Sequence, residues 1–207
     1  MARPTIQQTN GTFPRAPFTS NVVQEAAVTM LDEHATALDA LEAKGILARN
    51  FTTASQGPGF SADTYLTNSN LLIPASGISA GMVFRWTIGL SKTAAGTAAA
   101  VFTARLGVGL ATTDTQILAL TQQTAQTAAI SSGQIIVTVA VRTAGATGVV
   151  AGCVGVATNT AGLGSGIDGV SGSVDLSAAA GKSMGLSING GASAAWTVTS
   201  CTCELIA

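Results

Sequence analysis

The sequence predicts a mainly-β fold in which a C-terminal β-sandwich follows one N-terminal helix and an extended N-terminal arm. Three features lead to this prediction. Prolines interrupt residues 1–20, an amphipathic helical pattern covers residues 21–45, and short alternating stretches separated by turn residues fill residues 65–207. Residues 46–64, which include a Gly-Pro-Gly sequence, are expected to be a linker between the helix and the sandwich.

The composition favours β-structure and argues against some functions. Charged residues make up 9% of the chain, well below the roughly 25% of ordinary globular domains, while apolar residues make up 47%. The abundant Ala, Gly, Thr, Ser and Val favour strands and turns. A net charge of −1 without a cluster of Lys or Arg argues against nucleic-acid binding, which needs basic residues to neutralise phosphates.

Neither a signal peptide nor a membrane span is recognisable. The N-terminus lacks an apolar core, and the most apolar run, residues 135–157, is interrupted by Arg142 and several glycines. We therefore expect a soluble protein that is made in a cytoplasm and does not insert into membranes.

Residues 1–20 indicate an extended arm, because Pro4, Pro14 and Pro17 prevent a continuous helix. Aromatic and basic side chains spread along it are typical of an arm that becomes ordered on a partner, although a terminus without fixed structure has a similar composition. As an anchor, the arm would bind through Arg3, Pro4, Phe13 and Phe18.

Residues 21–45 predict a helix with a potential capping box at Asn21 and Gln24 and stop signals at Lys44 and Gly45. Its apolar residues follow spacings of four and three, as in a coiled-coil seam. We expect the helix to self-associate, as a trimer, rather than to pack on its own domain. So short a seam is marginal alone, and the following domain would have to trimerise as well. The expected oligomerisation residues are Val23, Ala27, Met30, Leu31, His34, Leu38 and Leu41.

The remainder of the chain predicts eight strands, which together indicate a β-sandwich. Each is a short stretch with alternating or continuous apolar residues, bounded by Gly, Pro, Asn or Ser. They are Leu71–Ile73, Met82–Lys92, Val101–Leu110, Gln116–Leu120, Gln134–Arg142, Val149–Ala157, Met184–Ile188 and Ala195–Ile206.

Arg85 and Arg105 are expected on the outer faces of these strands. Arg85 shares one face with Thr87, opposite Phe84 and Trp86, and Arg105 lies opposite its own apolar neighbours in the same way. In the strand that contains Arg105, the inner face is predicted to comprise Phe102, Ala104, Leu106 and Val108. Outer faces so poor in charge suggest that neighbouring copies bury part of them.

The residues for common catalytic or metal chemistry are not arranged together in the sequence. The single histidine, His34, lies in the predicted helix, the carboxylates are not paired, and no metal-ligand spacing occurs. The three cysteines are best explained as buried free thiols, with a disulfide among Cys153, Cys201 and Cys203 as the alternative. We expect no enzymatic activity, no metal and no cofactor.

Residues 158–182 are rich in Gly and Ser and predict a long surface loop. A Gly-x-Gly-x-x-Gly match, residues 164–169, falls inside it, without the helix that a phosphate site requires. Long loops of this kind often carry contacts with partners. As a receptor loop it would use Asn159, Asp168 and Asp175.

The region from about residue 65 to residue 207 resembles a TNF-like jelly-roll module of tailed-bacteriophage virion proteins. The resemblance rests on LLIP at 71–74, on Arg105-Leu106-Gly107 before the turn 112–115 and the strand ILAL, and on the closing GLSINGGASAAWTVTSCTCELI. It implies a trimeric jelly-roll β-sandwich on the outside of a phage particle, as in head fibres, spikes and tail-fibre tips. It supplies no catalytic residue.

We therefore expect a structural protein of the virion surface, assembled in the host cytoplasm. The favoured form is a homotrimeric head fibre or capsid decoration protein, anchored on capsid or tail proteins by its arm and exposing its jelly-roll head. The alternative is a receptor-binding tail fibre or tail-spike tip that binds a host cell-surface glycan or protein. A third hypothesis, a polysaccharide-degrading enzyme, would need two facing acids, such as Asp168 with Asp175 of a neighbouring copy.

Overall fold

The computed structural model describes Asp32 and residues 46–122, 126–160, 163, 168–193 and 195–206. The chain divides into two compact units, Met1–Lys44 and Gly45–Ala207. In the first unit only Asp32 is described, and it is helical and exposed. The predicted arm and almost all of the predicted helix therefore lie outside the described residues. Among the described residues there is no helix of the length and hydrophobicity needed to cross a membrane.

The second unit is a β-sandwich with twelve strands in its described residues. In chain order they are β1 (Ile46–Thr52), β2 (Gln56–Gly59), β3 (Thr64–Tyr65), β4 (Leu71–Leu72), β5 (Val83–Lys92), β6 (Val101–Gly107), β7 (Thr115–Thr121), β8 (Ser131–Thr143), β9 (Val149–Asn159), β10 (Asp168–Val170), β11 (Ser183–Asn189) and β12 (Trp196–Ile206). All eight predicted strands are present, with shifts at their ends.

Two antiparallel sheets contain these strands. The seven-stranded sheet has the order β1-β12-β5-β8-β9-β10, with β2 also paired to β12. The five-stranded sheet has the order β3-β11-β6-β7, with β4 also paired to β11. Four pairings are nested within one another: β1 with β12, β3 with β11, β5 with β8, and β6 with β7. The chain is thus arranged as one long hairpin folded over into two sheets.

The apolar core lies between the sheets and follows the alternation in the sequence. In β5, Phe84, Trp86, Ile88 and Leu90 are all buried, while Arg85 between them is exposed. The predicted inward positions of β8, from Ile135 to Val141, are buried in the same way. Period-two alternation places every second side chain on the inner face, where it contacts the opposite sheet. The outer-face prediction for Arg85 is confirmed.

The predicted linker at residues 46–64 is wrong, because this segment belongs to the sandwich. Residues 46–52 form β1, which pairs along β12, and Gln56–Gly59 form β2 beside Trp196. Neither segment has strong alternation, and β2 contains a proline. Both strands are held by backbone hydrogen bonds to β12, and they satisfy its hydrogen-bonding groups at the edge of the sheet.

The strand predicted to continue to Leu110 ends at Gly107, and Val108 is 79% exposed rather than inward. The chain turns here because the Asp114 side chain accepts hydrogen bonds from the backbone N–H groups of Gly109 and Ala111. A Cβ atom on Gly107 would lie 2.1 Å from Asp114 Oδ1, so the turn requires glycine at that position. The carboxylate of Asp114 thus shapes the turn that separates β6 from β7.

We expect Trp86→Phe to lower the free energy of unfolding by about 2–4 kcal/mol. Trp86 is fully buried, and its Nε1–H donates a 2.7 Å hydrogen bond to the Ser69 carbonyl, which the variant leaves unpaired. Chemical denaturation measures the change. Thr87→Ser, on the outer face of the same strand, is the control and should change the free energy by less than about 0.5 kcal/mol. Equal effects of the two substitutions would contradict the role of this bond.

Candidate functional site

The outer face of the seven-stranded sheet carries the candidate site, and the strand register arranges its side chains in rows. We call the end of the sheet where β1 begins the near end, and the opposite end the far end. At the near end, five apolar residues lie opposite one another on neighbouring strands. They are Ile206, Val83, Ala140, Ala151 and Val170. This apolar row is half-buried or exposed along its length, and Val170 is 58% exposed.

A shallow depression of about 380 Å³ lies over part of the apolar row. Ala140, Ala151 and Val170 line it, together with Thr138 and Cys153. Small side chains across three adjacent strands leave a flat, open surface on which another backbone or apolar side chain can lie closely. The surface is of the kind that protein contacts use, since it is apolar and nearly free of charge.

The next row along the sheet holds three charged side chains. Arg49, Glu204 and Arg85 lie opposite one another on β1, β12 and β5. The Nε atom of Arg49 is 3.7 Å from Glu204 Oε1. One carboxylate therefore lies between two guanidinium groups on three neighbouring strands. An ion pair as exposed as Arg49–Glu204 adds less than about 1 kcal/mol to stability.

At the far end, hydroxyl side chains replace the apolar ones. Thr197, Ser91 and Ser132 lie opposite one another on β12, β5 and β8, and Thr160 follows beside Ser132. They line a cleft of about 310 Å³, together with Lys92, Thr93, Ile130, Ser131 and Ala195.

Lys92 forms one side of this cleft and is 2% exposed. Its Nζ atom donates hydrogen bonds of 2.6 Å to the carbonyl oxygens of Thr127 and Ala129. No Asp or Glu among the described residues forms an ion pair with it. Burial lowers the pKa of Lys92, because the charged form loses contact with water. The ammonium group thus fixes the segment before β8 and brings positive charge to the cleft.

Arg105 is buried, although it lies on the outer face that was predicted for it. Its guanidinium donates to Ser187 Oγ at 2.9 Å and to the Asp114 carbonyl at 3.1 Å, and it forms an ion pair with Asp63. The side chain does lie on the outer face of the five-stranded sheet, as the alternation predicted. However, the segment before β3 covers that face and brings Asp63 onto it, which no local pattern could indicate.

Tyr65 completes this cover over the five-stranded sheet. Its ring lies above Gly185, where a Cβ atom would be 1.6 Å from the tyrosine oxygen. Burial raises the pKa of Tyr65 to about 12, and the nearby Asp114 carboxylate adds to the effect, while the Ser69 hydroxyl opposes it. The phenol is therefore neutral at physiological pH. Beside it, Arg105 links the segment before β3, β11 and the β6–β7 turn through Asp63, Ser187 and the Asp114 carbonyl.

The cysteines form no disulfide, and Cys201 and Cys203 are fully buried, which confirms the prediction of buried thiols for these two. Cys153 is half-buried on the outer face. Burial raises the pKa of Cys201 and of Cys203 to about 12, and these thiols are unreactive at neutral pH. Within the described ranges, no group of three His, Cys, Asp or Glu residues could hold a metal ion.

The predicted long loop at 158–182 is wrong in part, because it contains β10 and an isolated bridge from Val174 to Gly148. Asn159 pairs with Gly133, whereas Asp168 pairs with Cys153, six residues back along β9 and therefore about 20 Å away. The structure does not bring these two candidate receptor residues together.

Asn159 and Asp175 both shape local structure. The Asn159 amide accepts a hydrogen bond from Ser131 Oγ at 2.8 Å and donates one to the Leu163 carbonyl at 2.9 Å. Asp175 accepts bonds from the Ser177 hydroxyl and backbone N–H, and these bonds lower its pKa. The other predicted site residues lie outside the described residues: Arg3, Pro4, Phe13 and Phe18 of the arm, and Val23, Ala27, Met30, Leu31, His34, Leu38 and Leu41 of the helix.

Sequence reasoning missed the hydroxyl-lined cleft. Ser91, Ser132 and Thr197 are each ordinary strand residues in the sequence, and only the register of β12, β5 and β8 aligns them.

No protein-family profile matches the chain, and no curated protein sequence matches it.

A thiol reagent at pH 8 should modify Cys153 in the folded protein well before Cys201 or Cys203, because only Cys153 is partly exposed. Mass spectrometry of the labelled peptides measures the order. Cys153→Ser should remove the fast reaction, and denaturant should make all the remaining thiols reactive. Fast labelling of Cys201 or Cys203 in the folded protein would show that the β1–β12 edge opens readily.

The same two thiols predict a loss of stability in alkaline solution. In the unfolded chain they ionise near the ordinary value of 9.0, whereas the folded protein keeps them protonated up to about 12. Their contribution to the free energy of unfolding is therefore constant below pH 9 and falls as the pH rises from about 9 to 12. Cys201→Ala should reduce this fall in denaturation experiments. An unchanged pH profile would contradict it.

Proposed function

We propose that the protein is a structural protein of a bacteriophage virion surface, a trimeric head fibre or decoration protein. In this proposal the N-terminal arm anchors the protein on the particle, the helix at 21–45 holds three chains together, and a jelly-roll head is exposed. The observation that carries the proposal is the nested strand pairing of the sandwich, because it agrees with the jelly-roll module that the sequence resembles.

The nested pairing supports the assignment of a jelly roll. In an eight-stranded jelly roll the first strand pairs with the last, the second with the seventh, and so on inward to a central hairpin. Here β1, β3, β5 and β6 pair in that manner with β12, β11, β8 and β7. On this assignment β2 and β4 are short additional strands, and β9 and β10 extend the edge of the larger sheet.

The apolar row supports self-association of the heads. A sheet face that is exposed only to water usually carries polar side chains. At the near end, however, the outward residues are apolar: Val83, Ala140, Ala151 and Val170. Contact with copies of the same chain would bury this row in every subunit at once. Arg85 and Glu204, beside the row, would then lie at the rim, where charged residues of interfaces are commonly found.

A second candidate function is a receptor-binding tail fibre or tail-spike tip. The observation that favours it is the position of the hydroxyl-lined cleft at the far end of the sheet. There Ser91, Ser132 and Thr197 offer hydroxyl groups that a cell-surface glycan can bind.

We expect the full-length protein to have a mass in solution three times that of its 20.4 kDa chain. Ala151→Lys should shift the population to monomers, because each copy would bury an ammonium group in the contact. Ala119→Lys, on the exposed outer face of the five-stranded sheet, is the matched control and should leave the mass unchanged. Analytical ultracentrifugation measures both. A monomeric full-length protein would refute the proposed trimer.

Deletion of residues 1–20 should abolish binding to empty phage capsids while leaving the protein trimeric. Co-sedimentation of the protein with capsids measures this binding. Retained binding by the deletion variant would place the anchor elsewhere in the chain.

A further inference from the structure

We propose that the far-end cleft binds an anionic sugar unit, a hydroxyl-rich ligand that carries a carboxylate or a phosphate group. The volume of about 310 Å³ lies at the lower end of the roughly 300–1,000 Å³ typical of small-molecule sites. A role as a receptor site rests on the virion function proposed above, whereas the binding itself does not.

The hydroxyl groups of the cleft are available for a ligand. Four of the hydroxyl groups make no hydrogen bond with any described residue. They belong to Ser91, Thr93, Ser132 and Thr197. Three of them lie on adjacent strands, which are spaced about 4.8 Å apart. Hydroxyl groups at such intervals can form hydrogen bonds with successive hydroxyl groups of a sugar. Each hydroxyl group, of the protein or of the sugar, can both donate and accept a hydrogen bond.

The positive charge of the cleft selects an anion. Lys92 uses two of its three N–H groups on the Thr127 and Ala129 carbonyls, and the third has no partner among the described residues. No carboxylate in this part of the structure neutralises it. A buried ammonium without a counter-charge favours a carboxylate or phosphate beside it, because the low dielectric strengthens their attraction.

The walls of the cleft are rigid, which lowers the entropic cost of binding. Thr160 Oγ1 accepts from the Ser132 backbone N–H at 2.9 Å and donates to the Ser132 carbonyl at 3.0 Å. Lys92 fixes the segment just before Ile130, whose side chain is exposed at the rim and can contact the apolar face of a sugar ring. A site held by such contacts is organised before its ligand arrives.

The test uses the folded full-length protein and titration calorimetry with three probes. They are a glucuronic-acid-containing oligosaccharide, a glycerol-phosphate oligomer and a neutral gluco-oligosaccharide of similar length. We expect one of the two anionic probes to bind more tightly than the neutral one, and added salt to weaken that binding. Preference for the first probe assigns an acidic glycan as the ligand, and preference for the second assigns a polyol-phosphate polymer.

Variants then place the ligand in the cleft. Ser91→Ala, Ser132→Ala and Thr197→Val should each weaken binding of the preferred probe about fivefold, the effect of losing one hydrogen bond. Thr202→Val, on the outer face of β12 but outside the cleft, should leave binding within about twofold of the original. Lys92→Met, checked for folding by circular dichroism, should remove the preference for the anionic probe.

Three results would overturn the inference: no binding of any probe at millimolar concentration, equal binding of the neutral probe, or unchanged binding in all the cleft variants. None of them bears on the trimer or the anchor, which are measured by mass and by capsid binding. A trimeric, capsid-binding protein that binds no probe would therefore refute this inference and leave the proposed function standing.

Discussion

The position of β12 is the constraint on which the rest of the sandwich depends. This strand lies between β1 and β5 and also carries β2, so three strands from the first half of the unit are joined through it. Its inner side chains, including Trp196, Val198 and Leu205, are fully buried in the core. Residues near the two ends of the unit, such as Thr52 and Cys201, are direct partners. Folding must therefore close a very long loop before β1 and β2 gain their hydrogen bonds with β12.

The side chains on the outer face of this sheet change in polarity from one end to the other, and this order arises from the pairing of strands that are distant in the sequence. An apolar row, a charged row and a hydroxyl-lined cleft follow one another from the near end to the far end. β12 and β5 each contribute one residue to all three, so the division runs across the chain direction. One surface thereby offers different chemistry at its two ends.

Much of the fold is predictable from the sequence, and the rest is not, for physical reasons. Strands such as β5 and β8 have strict alternation, and their side chains alone specify which face is buried. By contrast, β1 and β2 are edge strands that depend on the backbone of β12, and β10 is a three-residue strand inside a glycine-rich segment. Arg105 occupies the predicted face but is covered by Asp63 from a distant segment. The cleft was invisible in the sequence because its hydroxyls come from strands more than 30 residues apart.

The central place of β12 also bears on synthesis in the cell. A ribosome translates β12 about 160 residues after it begins β1, which at 5–20 residues per second takes roughly 10–30 s. During that interval β1 and β5 emerge without the strand that will lie between them, and their backbone edges on that side are open to other molecules. The sequence in these strands must therefore resist premature pairing. Arg49 in β1 and Arg85 in β5 place a positive charge on each waiting strand, and charges of this kind discourage edge-to-edge pairing.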